Sequence, residues 1–228
     1  LQVPSGAGLS RGFLFWQGPT GLTGFPGGGP AQRCTPSNVA NATLPAGSPT
    51  TRQVMLQVGT GAVSNVAGSV LVEPTPTIAS PQYYSAQADV TAQLATIPTG
   101  STQTISVGNI WAPEGRNCYA GWSLAVVYDF GGYNASNPLT QSRQVIISSG
   151  HVRVQQNEAV TSTFSGFTSQ TGDIQASFFL GEGDRNITGD YARYRAGSSG
   201  AFTTLQGATG EGANIGTGQA VGSVRYQG

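Results

Sequence analysis

Lysine is absent from the 228-residue chain, so all ten basic residues are arginines, balanced by ten acidic residues to a formal net charge of zero. Charged side chains are 9% of the sequence, against about 25% in an ordinary soluble domain. Without lysine the chain has no P-loop, no Schiff-base nucleophile and no Lys–Asn isopeptide staple. Scattered arginines on a neutral chain give no electrostatic footprint for nucleic acid. A single histidine excludes multi-histidine zinc, copper or iron sites, and two cysteines exclude a four-cysteine cluster. No apolar run reaches the roughly 18 residues that a helical membrane span requires.

What is present is glycine, at 34 residues, and enough apolar residues, 38% of the chain, to build one core. No composition break or internal repeat divides the sequence, so residues 1–228 read as one domain. The chain begins at Leu1 without a basic, apolar leader, so it reads as a mature product or a trimmed chain.

Extended segments dominate. Gly12–Gln17 is an aromatic strand candidate, followed by a long Gly/Pro-rich loop over 18–51. Arg52–Val58 alternates Val54, Leu56 and Val58 against Gln53, Met55 and Gln57, the pattern of a half-buried strand. Ala62–Val72 is a second run, interrupted by Gly68. Tyr83–Ile97 is the one stretch that suits a short helix. Gln103–Val107 alternates again, and Cys118–Phe130, apolar on both faces, reads as a central strand. Arg143–Ser148, His151–Gln155, Val160–Phe167, Asp173–Leu180, Tyr191–Arg195, Ala201–Leu205 and Ala220–Tyr226 complete the series. Such spacing predicts an all-β fold: a single jelly-roll-like β-sandwich of about ten or more short strands, with long loops and at most one short helix.

Cys34 and Cys118 are the only cysteines. A disulfide between them would close a loop of about 84 residues, worth roughly 4–5 kcal/mol by chain entropy; two buried thiols are the alternative. Asn41, Asn134 and Asn186 each open an N-x-S/T sequon in turn-rich sequence, marking candidate glycosylation sites on surface loops.

Three segments carry a resemblance. Tyr84-Ser85-Ala86-Gln87-Ala88-Asp89-Val90-Thr91 comes first, then Tyr119-Ala120-Gly121-Trp122-Ser123-Leu124-Ala125-Val126-Val127-Tyr128. Gly181-Glu182-Gly183-Asp184-Arg185-Asn186-Ile187-Thr188-Gly189-Asp190 comes last. In order and spacing they resemble the β-sandwich head domain of large secreted cell-envelope proteins of high-GC Gram-positive bacteria. The resemblance implies an exported, non-catalytic β-domain and names no ligand. The sequence departs from the pattern in the 18–51 loop with Cys34, and it ends at Gly228 without repeats or a sortase-type anchor. Both departures count against a simple head of a long adhesin and make a small stand-alone subunit credible.

Candidate sites are few. Glu182, Asp184 and Asp190, spaced by glycines, offer carboxylates that a flexible loop can wrap around Ca²⁺. Calcium is the one cofactor the chain suggests, and a hairpin in which Asp184 pairs with Arg185 or Arg193 is the alternative. His151 is the only imidazole base, with Ser149 two residues before it, but no G-x-S-x-G elbow accompanies them. Trp111, loop-like beside Pro113, is expected to be exposed and can stack on a sugar, whereas Trp16 and Trp122 sit in strand patterns. The terminal runs Leu1–Gln17 and Ala220–Gln227 can pair within their own sheet or with a neighbouring subunit, and no lysine guards an edge.

The expectation is a non-enzymatic extracellular structural protein of the bacterial cell surface. It would pair with copies of itself, by strand addition or edge packing, into a filament, sheath or matrix. The alternative is an adhesin or carbohydrate-binding module that takes surface glycans, assisted by calcium. Neither reading involves nucleic acid or a membrane span.

Overall fold

Side chains alternate along β-strands, and that alternation decides which residues meet in this chain. A computed structural model of the protein describes residues 1–19, 53–72, 83–112, 120–150, 159–166, 193–195 and 199–204. The chain forms two compact units, Leu1–Ser162 and Thr163–Gly228.

The first unit contains β1 (Gly8–Pro19), β2 (Gln53–Val58), β3 (Ser64–Ala67), β4 (Ser69–Val72) and β5 (Tyr83–Asp89). After these come a one-turn helix α1 (Thr91–Leu94), β6 (Ile105–Gly108) and β7 (Gly121–Asp129). A four-stranded antiparallel sheet runs β4-β5-β1-β7, and a three-stranded antiparallel sheet runs β3-β2-β6. In the second unit β8 (Arg193–Tyr194) pairs with β9 (Thr203–Thr204). The described structure is therefore all-β, with one short α-helix.

β1 organises the larger sheet. Leu14 and Trp16 are buried, while Phe13, Phe15 and Gln17 on the opposite face are half-buried. Trp16 lies opposite Ala86 of β5 and Trp122 of β7; Leu14 lies opposite Ala88 and Leu124. Small alanines facing large side chains let the rows interdigitate at native density. On the smaller sheet Val54, Leu56 and Val66 are buried, and Val58, Ile105 and Val107 pack beside them. All of these belong to one apolar cluster with Leu14, Trp16, Ala86 and Ala88, into which Val3, Val90, Leu94 and Ile97 also pack.

The chain changes sheets at Gly68, between β3 and β4. A Cβ at this position would collide with the Trp16 indole and the Gln87 carbonyl. Only glycine permits that approach.

The N-terminus is fastened within the chain. The Leu1 ammonium donates to the Gln103 carbonyl at 2.7 Å, and the Val3 N–H donates to the Ser101 carbonyl at 3.0 Å. The Gln2 carbonyl accepts from the Tyr128 hydroxyl at 2.8 Å.

Several expectations change. Tyr83–Ile97 is a strand followed by a single helical turn, because Tyr84, Ala86 and Ala88 go inward while Ser85, Gln87 and Asp89 face outward. That period of two outweighs the helical preference of alanine and glutamine. β1 continues to Pro19, into the start of the expected loop. Arg143–Ser148 forms no strand; Val145, Ile146 and Ile147 are 57%, 46% and 39% exposed. No strand occurs over residues 159–166 either. β7 is not central among the described strands: it pairs with β1 and ends the sheet. Segments 151–158, 167–192 and 205–228, and most of the 18–51 loop, lie outside the described residues.

The corner at Gly68 yields a direct test. Gly68→Ala is expected to cost about 1–3 kcal/mol through overpacking, read as a lowered urea midpoint with an unchanged m-value. In a Trp16→Phe background, where the colliding ring is smaller, the same change should cost less; equal costs in both backgrounds would rule out the Trp16 contact as its source.

Candidate functional site

The outer face of the four-stranded sheet brings together aromatic, amide, hydroxyl and carboxylate side chains. Register places Ser123, Phe15, Gln87 and Ser69 in one row across β7, β1, β5 and β4, and Ala125, Phe13 and Asp89 in the next. Two residues along a strand separate these rows, about 7 Å. Over them lies an open hollow of about 340 Å³, lined by Phe13, Phe15, Ser69, Gln87 and Asp89 and bounded on one side by Ile147 and Ser149.

Asp89 is exposed, and its carboxylate is held in place. The Thr91 N–H donates to Oδ1 at 2.8 Å. Hydrogen bonding from the Thr91 side chain, then from its backbone, keeps this carboxyl below its ordinary pKa of 3.8, and the charge of Arg11 adds a smaller attraction. Thr91 is itself tied to the central strand, its Oγ1 accepting from the Gly12 N–H at 3.0 Å. Among the described residues the hollow thus holds one fixed negative charge amid neutral polar groups and aromatic rings.

Trp111 is half-buried and packs against the core cluster, rather than standing clear of the surface as its loop-like sequence suggests. The cause is local. The buried Tyr84 hydroxyl donates to the Trp111 carbonyl at 2.6 Å. Gly18 makes room: a Cβ there would lie 2.9 Å from that carbonyl and 3.2 Å from the Tyr84 ring. Burial pushes the Tyr84 phenol well above its ordinary value of 10.0, against a smaller opposing effect of the bond to Trp111.

Asn134 lies in an exposed turn. Its Oδ1 accepts from the Ser136 N–H at 2.9 Å, an Asx-turn across the sequon, and its own N–H donates to Thr140 Oγ1 at 2.7 Å. The other candidates, Cys34, Cys118, Asn41, Asn186, Glu182, Asp184, Asp190 and His151, lie outside the described residues. Among the described residues no group of three His, Cys, Asp or Glu side chains could hold a metal ion, and no helix is long and apolar enough to cross a membrane.

Sequence reasoning did not single out Phe13, Phe15, Gln87 or Asp89. The signal was available: if Leu14 and Trp16 point inward, Phe13 and Phe15 must point outward. No family model, no curated protein and no solved structure matches the chain.

The Tyr84 phenol stays neutral in the fold, while in the unfolded chain it ionises near its ordinary value of 10.0. Its stabilising contribution is therefore complete below about pH 10 and lost as pH rises beyond it. Tyr84→Phe, which orphans the Trp111 carbonyl, is expected to cost about 1–2 kcal/mol at neutral pH. It should also flatten the alkaline decline in stability measured by urea unfolding between pH 8 and 11.

Proposed function

We propose that the chain is a non-enzymatic structural protein, exported to a bacterial cell surface, that assembles with copies of itself into a filament, sheath or matrix. Its architecture in this reading is a jelly-roll-like β-sandwich. The apolar cluster common to both sheets of the first unit supports that arrangement. The resemblance of the Tyr84–Thr91, Tyr119–Tyr128 and Gly181–Asp190 segments to secreted head domains supports the compartment.

One observation carries the assembly reading. β7, nine residues long, has a central strand's sequence at the end of its sheet. It contains no proline and no charge before Asp129, and among the described residues only β1 pairs with it. Natural edge strands are usually shortened, charged or bent to prevent pairing. Apart from the register irregularity of β1 opposite Val127 and Tyr128, this edge of the described sheet carries none of those devices and suits pairing with a second copy. An isologous β7–β7 contact would close a dimer, and a different partner edge would propagate a polymer. β1 is paired on both sides within its own chain. Its withdrawal would open the core, so assembly through β7 is favoured over donation of the N-terminal strand.

Negative-stain electron microscopy and sedimentation of the native protein, without reductant, should show concentration-dependent assemblies. Val127→Glu puts a charge on β7 opposite Arg11, where the fold can accommodate it. This variant should remain folded by circular dichroism and sediment as a monomer. A wild-type protein that stays monomeric throughout would refute the reading.

A further inference from the structure

The hollow on the outer face of the four-stranded sheet is not needed for edge pairing, and its chemistry points elsewhere. We propose that it binds a neutral oligosaccharide. Sugar rings carry two kinds of surface: an apolar face of C–H groups and a rim of hydroxyls that both donate and accept hydrogen bonds. A matching site needs aromatic side chains for the first and fixed polar side chains for the second. Phe13 and Phe15 alternate on one strand and line the floor; Gln87 and Asp89 stand directly opposite them on β5.

Each polar group has a defined part. The Gln87 amide both donates and accepts, the Asp89 carboxylate accepts from sugar hydroxyls, and Ser69 and Ser149 offer hydroxyls at the sides. Asp89 is positioned in advance by the Thr91 N–H, so little ordering entropy is lost when a ligand hydroxyl reaches it. The strand backbone fixes the rings in the same way. An open shape lets a chain of sugars lie across the sheet and extend at both ends.

The same residues disfavour other ligands. Among the described residues no cationic side chain lines the hollow and the one charge there is negative, which disfavours phosphate, sulfate and acidic glycans. A quaternary ammonium ion would find aromatic rings and a carboxylate, but cation–π binding is strong only when the cation is desolvated. This hollow is open to water.

Isothermal titration calorimetry at a protein concentration below that of assembly tests the proposal, with cellohexaose, xylohexaose and mannohexaose as neutral probes and choline as the cationic control. At least one hexasaccharide should bind saturably and choline should not. Phe13→Ala and Gln87→Ala should each weaken binding about tenfold or more, and Phe13→Tyr should retain it. Gln87→Ala changes a half-buried surface residue and removes no core contact, so it separates loss of the site from loss of the fold. Saturable choline binding, no binding of any hexasaccharide to the folded protein, or binding unchanged by both alanine variants would overturn the proposal. Val127→Glu, which addresses assembly through β7, should bind the sugar like the wild type, so the two readings fail independently.

Discussion

The contact between the Trp16 indole and the backbone at Gly68 is the constraint on which the described fold turns. Trp16 sits on the inner face of the central strand, opposite Ala86. Gly68 is the point where the chain leaves the three-stranded sheet for the four-stranded one. A tryptophan needs a large cavity, and this one is made by two small neighbours: an alanine across the ladder and a glycine at the corner. A Cβ at Gly68 would press on the indole and on the Gln87 carbonyl. The burial of Val54, Leu56 and Val66 against Leu14 and Ala88 belongs to the same packing. The corner is thus a tight point in the packing between the two sheets.

From that constraint the outer face follows. Once Leu14 and Trp16 are directed inward, Phe13 and Phe15 have only the other side of the sheet, where they are half-buried. On β5 the burial of Tyr84, Ala86 and Ala88 sends Ser85, Gln87 and Asp89 outward. The composition of the hollow is thus a by-product of core packing in its register and a choice only in its residue types.

Much of this was legible in the sequence, and the failures have physical causes. The alternation of Val54, Leu56 and Val58 is a local signal, and β2 forms where it predicts. The interruption at Gly68 was visible, but not that it separates strands of different sheets, since nothing local specifies which strand a neighbour pairs with. Within Tyr83–Ile97 the expected short helix is present at Thr91–Leu94, but the strand before it went unread because its alternation is masked by alanine's small size. Trp111 looked exposed because its immediate sequence is loop-like. Its burial is set by Tyr84, 27 residues away, and by the space that Gly18 leaves. Long-range polar contacts of this kind leave no periodic trace. The proposed assembly edge was half legible: the apolarity of β7 was plain, its place at the end of the sheet was not.

The two proposed roles use different parts of one sheet, and the geometry makes them compatible. Edge pairing engages the backbone groups of β7 in the plane of the sheet, whereas the hollow opens perpendicular to that plane over β1, β5 and β4. Joining two copies along β7 would extend the sheet and repeat the row of Phe13 and Phe15 on the neighbouring protomer. A single shallow sugar site of this size binds weakly, because little ligand surface is removed from water. A polymer multiplies such sites at fixed spacing, and a long glycan that engages several of them binds far more tightly than any one site allows. Weak individual binding and strong collective binding is the behaviour a surface matrix requires. In the proposed assembly it would let subunits exchange singly while the layer held to a polysaccharide.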